Sequence, residues 1–134
     1  MMGKSMSEID KALHAKLDAF VAKVAGEDIS LVDELWNDGG FLMVASEWGE
    51  ICRTPAELEA KLRAVFAIPA TILFDWPKRK LTIVGNAAWI FAEGDLIIRA
   101  SGTEDVRRPY LASCIFEKLG GEWHWRQFFG SEPV

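Results

Sequence analysis

The hydrophobic period of this chain changes once, near residue 70, and that change sets the fold class. Before it, apolar residues recur at helical spacing. Ile9, Leu13, Leu17, Phe20 and Val24 lie 4, 4, 3 and 4 positions apart, one stripe along a helix ending near Gly26. A short helix is predicted around Leu31, Leu35 and Trp36, capped by Asp28 or Ser30 and broken by Asn37-Asp38-Gly39-Gly40. A third starts at Thr54-Pro55-Ala56-Glu57, with Thr as the cap, Pro at the first helical position and Glu at the third. Leu58, Leu62, Val65 and Phe66 are its stripe, and Pro69 ends it.

After residue 70 the period is two. ATILFDW, KLTIVG, AAWIFAEGDLIIRA, VRRPYLASCIFEKL and EWHWRQFF read as strands, with FLMVAS (41–46) as an earlier short one. Pro77, Gly85-Asn86, Ser101-Gly102 and Gly120-Gly121 separate them as turns or bulges, and Trp48-Gly49 makes a tight connection. Helices followed by an antiparallel meander define the α+β class, with three helices packed on one sheet. At 134 residues the chain is read as a single domain, 1–134, with residues 1–6 expected to be disordered.

Composition excludes several functions. The net charge is −5, from 15 basic and 20 acidic residues, so no basic face for nucleic acid is expected. No run approaches the ~20 apolar residues of a membrane span. The start, MMGKSMSEID, lacks the apolar core of a signal peptide, so a cytoplasmic location is expected. Cys52 and Cys114 are far apart, and a disulfide is not expected. Two isolated histidines, His14 and His124, do not make a zinc set, so no metal and no cofactor are expected. A Cys–His nucleophile pair with either histidine has no local signature.

Turn geometry predicts which side chains share a face. A two-residue Gly120-Gly121 loop opposes Trp125 to Phe116, Gln127 to Cys114 and Phe129 to Ala112. The Ser101-Gly102 turn puts Trp89 beside Cys114, Phe91 beside Ala112 and Glu93 beside Tyr110. The turn at Gly85-Asn86 puts Thr82 beside Trp89. One face then carries Trp89, Phe91, Glu93, Arg108, Tyr110, Trp125, Gln127 and Phe129, with Trp36 near it from the second helix. Large aromatics with a few polar groups are the usual lining of a ligand pocket. The plain alternative is that the aromatics fill the core and the polar groups sit at its wet rim. Both faces are largely apolar, and three helices cover only one, so the other is expected to be covered in a homodimer.

The segments DISLVDELW (28–36), AAWIFAEGDL (87–96), RRPYLASCIFEK (107–118) and WHWRQFFGSEPV (123–134) carry a resemblance. They are similar to the nuclear transport factor 2-like superfamily and, within it, to the SnoaL-like branch of small bacterial proteins. The resemblance implies a cystatin-like cone, with helices against a strongly curved antiparallel sheet of mixed order, an internal pocket, and dimerisation through the outer sheet face. Related ketosteroid isomerases use an Asp base with a Tyr and a protonated Asp. This chain departs from that set. Its one Tyr, Tyr110, is on a strand, and FLMVASEWGE is apolar where the base would stand, with Glu47 nearby. Gln127 and Phe129 take the places of a His-x-His pair found in many relatives.

Glu93 is the first candidate base, since Phe91, Tyr110 and Phe129 around it would desolvate it and raise its pKa. The competing reading is a Glu at the pocket mouth paired with Arg108. Tyr110 is a candidate donor to a ligand oxygen, and His14 a candidate on the pocket side of the first helix. Arg53 could hold an anion or simply face solvent. Gly130, in the terminal GSEP, relieves crowding. Two functions follow: a binding protein for a small apolar molecule, with isomerase, cyclase or lyase activity open, or a non-catalytic dimeric interaction or association module with a vestigial pocket. A cavity retaining Glu93 and Gln127 on its wall favours the first, and a filled cavity the second.

Overall fold

The computed structural model describes residues 6–46 and 51–133. The connection expected through Trp48-Gly49, Glu47, and residues 1–5 of the segment expected to be disordered lie outside the described residues; Met6 begins the first helix.

The elements are α1 (Met6–Ala25), α2 (Leu31–Leu35), β1 (Leu42–Val44), β2 (Ile51–Cys52), α3 (Pro55–Phe66), β3 (Thr71–Val84), β4 (Ala87–Arg99), β5 (Val106–Leu119) and β6 (Glu122–Ser131). The fold is α+β, as its change of period predicts. Six strands form one open sheet in the order β2-β1-β6-β5-β4-β3. Every neighbouring pair is antiparallel except β1 with β6.

The α1 stripe does what its spacing predicts. Leu13, Leu17, Phe20 and Val24 are buried, and each such side chain contributes about 1.5–3 kcal/mol by leaving water. Phe20 is the hub of the core. Its ring lies 4.8 Å from Phe128, 5.7 Å from Trp125 and 6.1 Å from Phe74. Asp18 ties the polar side of α1 to Arg79 on β3 at 2.8 Å.

At the start of α3 the Thr54 hydroxyl accepts from the Glu57 N–H at 3.2 Å, and the Glu57 carboxylate accepts from the Arg53 N–H at 2.9 Å. The first bond satisfies one of the helix's orphan donors, and the second ties the residue before the cap to the same Glu.

Two bulges shape the sheet. In β3, Trp76 and Pro77 together oppose Gly94 alone, since the register passes from Asp75↔Asp95 to Lys78↔Glu93. Pro77 is tolerated because β3 is an edge strand and its missing N–H breaks no inner ladder. Gly94 is required because a Cβ there would run into the Asp75 carbonyl. The extra residue turns Trp76 inward, where its indole N–H donates to the Tyr110 carbonyl at 3.2 Å. In β6 the register passes from Phe116↔Trp125 to Ile115↔Gln127, leaving Arg126 as the extra residue.

These registers correct the predicted faces. Thr82 does oppose Trp89, and Phe116 does oppose Trp125. However, the β4–β5 connection carries one residue more than predicted, so Trp89 opposes Ile115, Phe91 opposes Ser113 and Glu93 opposes Leu111. The Arg126 bulge likewise moves Phe129 opposite Ser113 and brings Phe128 opposite Cys114. A slip of one residue exchanges the faces. Ala88, Ile90, Ala92, Tyr110, Cys114, Phe116, Trp125 and Phe128 face the helices and are buried. Trp89, Phe91 and Phe129 lie on the outer face, 39%, 38% and 46% exposed.

Candidate functional site

Between the helices and the concave side of the sheet lies a cavity of about 250 Å³. Phe20 and Val24 of α1 and Leu31 of α2 form one side. Leu58, Leu62, Val65 and Phe66 of α3 form the next, with Lys61 among them. The sheet contributes Met43, Cys52, Ile72, Phe74, Leu96, Tyr110 and Phe128. Ala45, Ser46 and Glu132 complete the lining. The α3 stripe therefore has two jobs. It buries Leu58 and Leu62 against the body, and it leaves Val65 and Phe66 half-buried along an unfilled space.

Polar chemistry on this wall is sparse. The Ser46 hydroxyl lies 3.4 Å from a Glu132 carboxylate oxygen. Tyr110 is buried, its ring 5.3 Å from Phe74 and 6.3 Å from Trp76. Its phenol lies flat over Gly130, where a Cβ would collide with the hydroxyl. Gly130 thus relieves crowding, as its place in GSEP predicts, and the group it makes room for is the Tyr110 phenol. Lys61 is half-buried and Glu132 exposed. The wall accordingly offers hydroxyl donors, one carboxylate and one ammonium against a largely hydrocarbon and aromatic surface.

Of the residues predicted to line a pocket, Tyr110 is the one that borders this cavity. Trp36 and Trp125 are core, linked through Phe41, whose ring is 4.8 Å from Trp36 and 6.1 Å from Trp125. Trp89, Phe91, Gln127 and Phe129 stand on the outer face, for the register reasons above. Glu93 is there too, 3.3 Å from Lys78 at an exposed pair, rather than desolvated beside Tyr110 or paired with Arg108. Arg108 is exposed on β5, and Arg53 is exposed before α3. His14 is half-buried on α1, below the turns that reach the cavity. Lys61, Ser46, Cys52 and Glu132 escape a sequence reading. The only signal was the α3 stripe, which reads equally well as core.

A second polar cluster sits away from the cavity. Arg126, the bulge residue, grips both Asp38 oxygens at 2.8 and 2.7 Å and donates to Glu117 at 2.8 Å. The guanidinium holds the Asp38 carboxyl down to about 2. His124 Nδ1 is 3.0 Å from Asn37 Oδ1 and 3.6 Å from Asp38. This cluster pins the Asn37–Gly40 segment to β6 and so fixes where β1 enters the sheet. Cys114, beneath the helices, is fully buried, and burial pushes its thiol up to about 12. It is packing rather than a nucleophile.

An α+β cone with a cavity under its helices is the architecture of the nuclear transport factor 2-like superfamily. Residues 13–134 match the SnoaL-like domain, and the chain belongs to that family. Solved structures agree on the fold. A protein from Streptomyces avermitilis, provisionally named a dehydratase of the nuclear transport factor 2-like family, is 16% identical with a TM-score of 0.78, over 96% of this chain and 99% of that one. A protein from Novosphingobium aromaticivorans, provisionally named a scytalone dehydratase, is 9% identical with a TM-score of 0.76, over 92% and 83%. A protein from Thiobacillus denitrificans, provisionally named a calcium/calmodulin-dependent protein kinase II association domain, is 14% identical with a TM-score of 0.73, over 90% and 94%. At these identities the likeness establishes the fold alone. No curated protein matches the chain. No described helix is long and apolar enough to cross a membrane.

Proposed function

We propose that this protein binds a small, mostly apolar molecule in the cavity under α3, with Tyr110 as a polar contact. The observation that carries this reading is a partly open, mostly apolar pocket of about 250 Å³ between α3 and the concave side of the sheet. A concave, mostly apolar pocket with a few polar groups on its wall is the usual form of a small-molecule site. Glu132 can accept a proton, and Tyr110 and Lys61 can donate one, which are the minimum parts for proton transfer on a bound ligand. Two structural neighbours are named dehydratases, so loss of water from a small hydroxylated ring, a lyase reaction, is the first to assay, ahead of isomerisation and cyclisation. The test of binding is titration of indole into methyl-labelled protein. Shifts confined to Met43, Leu58 and Leu62 support the reading; no shift at millimolar indole sinks it.

The same protein is proposed to be a homodimer through its outer sheet face. Trp89, Phe91, Ile115 and Phe129 are exposed there on adjacent strands, at matching heights in the register. Such a contiguous apolar patch marks an interaction surface. A neighbour named an association domain fits the same role for this face. Cys52 and Cys114 are both buried thiols, which suits a reducing cytoplasm.

A further inference from the structure

We infer that Ser113 stands on the two-fold axis of the homodimer, where the Ser113 side chain of each copy meets its own counterpart. This deepens the dimer reading above and rests on it.

Register puts Ser113 at the middle of the outer face. Phe91 on β4 and Phe129 on β6 oppose it from either side, each one strand spacing of about 4.8 Å away. Leu111 and Ile115 lie two positions before and after it, on the same face of β5. Trp89 opposes Ile115 and extends the patch over β4. Ser113 is therefore a small, half-buried polar residue ringed by large apolar ones. Between the Phe91 and Phe129 side chains it leaves a notch.

The charges that border this patch are balanced within one copy. Glu93 is 3.3 Å from Lys78, and Glu117 is 2.8 Å from Arg126. Arg107 lies 3.1 Å from Asp95 and 3.5 Å from Asp75. Lys80 opposes Phe91 from the edge strand β3, where its long side chain can reach past the patch into solvent. A strongly charged partner of either sign finds no field here to complement. A second copy of the same face meets it without a block of like charge. A sheet face is also the shape that another sheet face fits, about 10 Å away with interleaved side chains.

Symmetry fixes the rest. In a dimer of two identical faces one patch is used twice, so the two-fold rotation lays the patch on itself. The centre of the patch then lies on the axis, whatever the angle at which the two sheets cross. That centre is Ser113. Its small side chain lets the two β5 strands approach, and the notch over it receives aromatic surface from the partner copy. The two hydroxyls can also bond each other, one donating and one accepting.

A residue on the axis has a signature that no other interface residue shares: it contacts itself. Ser113→Asp places two carboxylates together, and Ser113→Lys two ammonium groups. Each variant of the full chain should raise the dimer Kd at least about tenfold, with circular dichroism unchanged because the position lies on the outer face. An equimolar mixture of the two should form a dimer by light scattering at a concentration where each alone is monomeric, because Asp then meets Lys across the axis. A wild-type dimer that either charged variant leaves at the wild-type Kd overturns the inference. So does a mixture that stays monomeric, which would put position 113 inside the interface but off its axis; in both cases the dimer itself stands. A wild-type chain that is monomeric at high micromolar concentration overturns the dimer reading and this inference with it.

Discussion

The Tyr110 phenol lies against Gly130 so closely that any Cβ at position 130 would meet its hydroxyl. The two residues come from adjacent antiparallel strands, with Gly130 opposite Ala112, two positions along β5. The missing side chain on β6 is the seat for the aromatic ring on β5. Gly130→Ala must therefore tilt Tyr110 out of its contacts with Phe74 and Trp76. Overpacking of this kind costs roughly 1–3 kcal/mol. In urea titrations Tyr110→Ala and Gly130→Ala should be strongly non-additive, because the small side chain at 110 removes the collision. Additive losses would mean that the two do not share space.

Tyr110→Phe keeps the ring and removes the hydroxyl. If that group contacts the ligand, benzamide affinity should fall about 2- to 10-fold, the range of one ordinary hydrogen bond. Toluene, which offers no acceptor, should bind equally well to both forms. An equal change for both ligands would assign Tyr110 a packing role only.

The Asp38–Arg126 clamp gives a pH prediction. Asp38 has its pKa lowered from 3.8 to about 2, chiefly by the hydrogen bonds from Arg126. A depressed carboxylate pKa adds stability that is complete above the unfolded value and is lost as pH falls through the folded one. The loss should run from about pH 4 down to about pH 2. The Asp38 side chain is 25% exposed, so solvent screening trims the contribution to on the order of 1 kcal/mol. Asp38→Asn should lower stability by that amount at pH 7 and flatten its fall between pH 4 and pH 2, as read by urea midpoints. A variant with the wild-type slope would show that the clamp does not titrate with folding.

Phe91 and Phe129 each oppose Ser113, from the two sides of β5 on the outer face. Phe91→Lys and Phe129→Lys together should convert the proposed dimer to a monomer by light scattering, with little change in helical circular dichroism. Neither residue borders the cavity, so indole shifts at Met43 should persist. A wild-type protein that is monomeric at high micromolar concentration would remove the dimer.

Cys114 should resist alkylation. With its thiol held near 12, the thiolate is a fraction on the order of 10⁻⁴ at pH 8. Mass spectrometry after hours with iodoacetamide should find Cys114 unmodified in the native protein and modified in urea.

What the sequence determined by itself was local. The α1 stripe from Leu13 to Val24, the reciprocal cap of Thr54 and Glu57, and the switch to alternation at residue 70 are each set by neighbours within a few positions. So is the pairing of Trp125 with Phe116 across a two-residue glycine loop. The two faces of the sheet were a tertiary decision. Their assignment hangs on single residues: one more position between β4 and β5, and one bulged Arg126. Arg126 is extra because its guanidinium has Asp38 and Glu117 to satisfy it, partners 88 and 9 positions away. Side-chain period in a strand is two, so each such unit reverses a whole strand. That reversal moved Glu93, Trp89 and Phe129 outward and brought Phe128 to the cavity. Likewise, nothing in the spacing of Leu58, Leu62, Val65 and Phe66 tells a filled space from an empty one. Periodicity says which way a side chain points, and only three-dimensional packing decides whether something already occupies the place it points to.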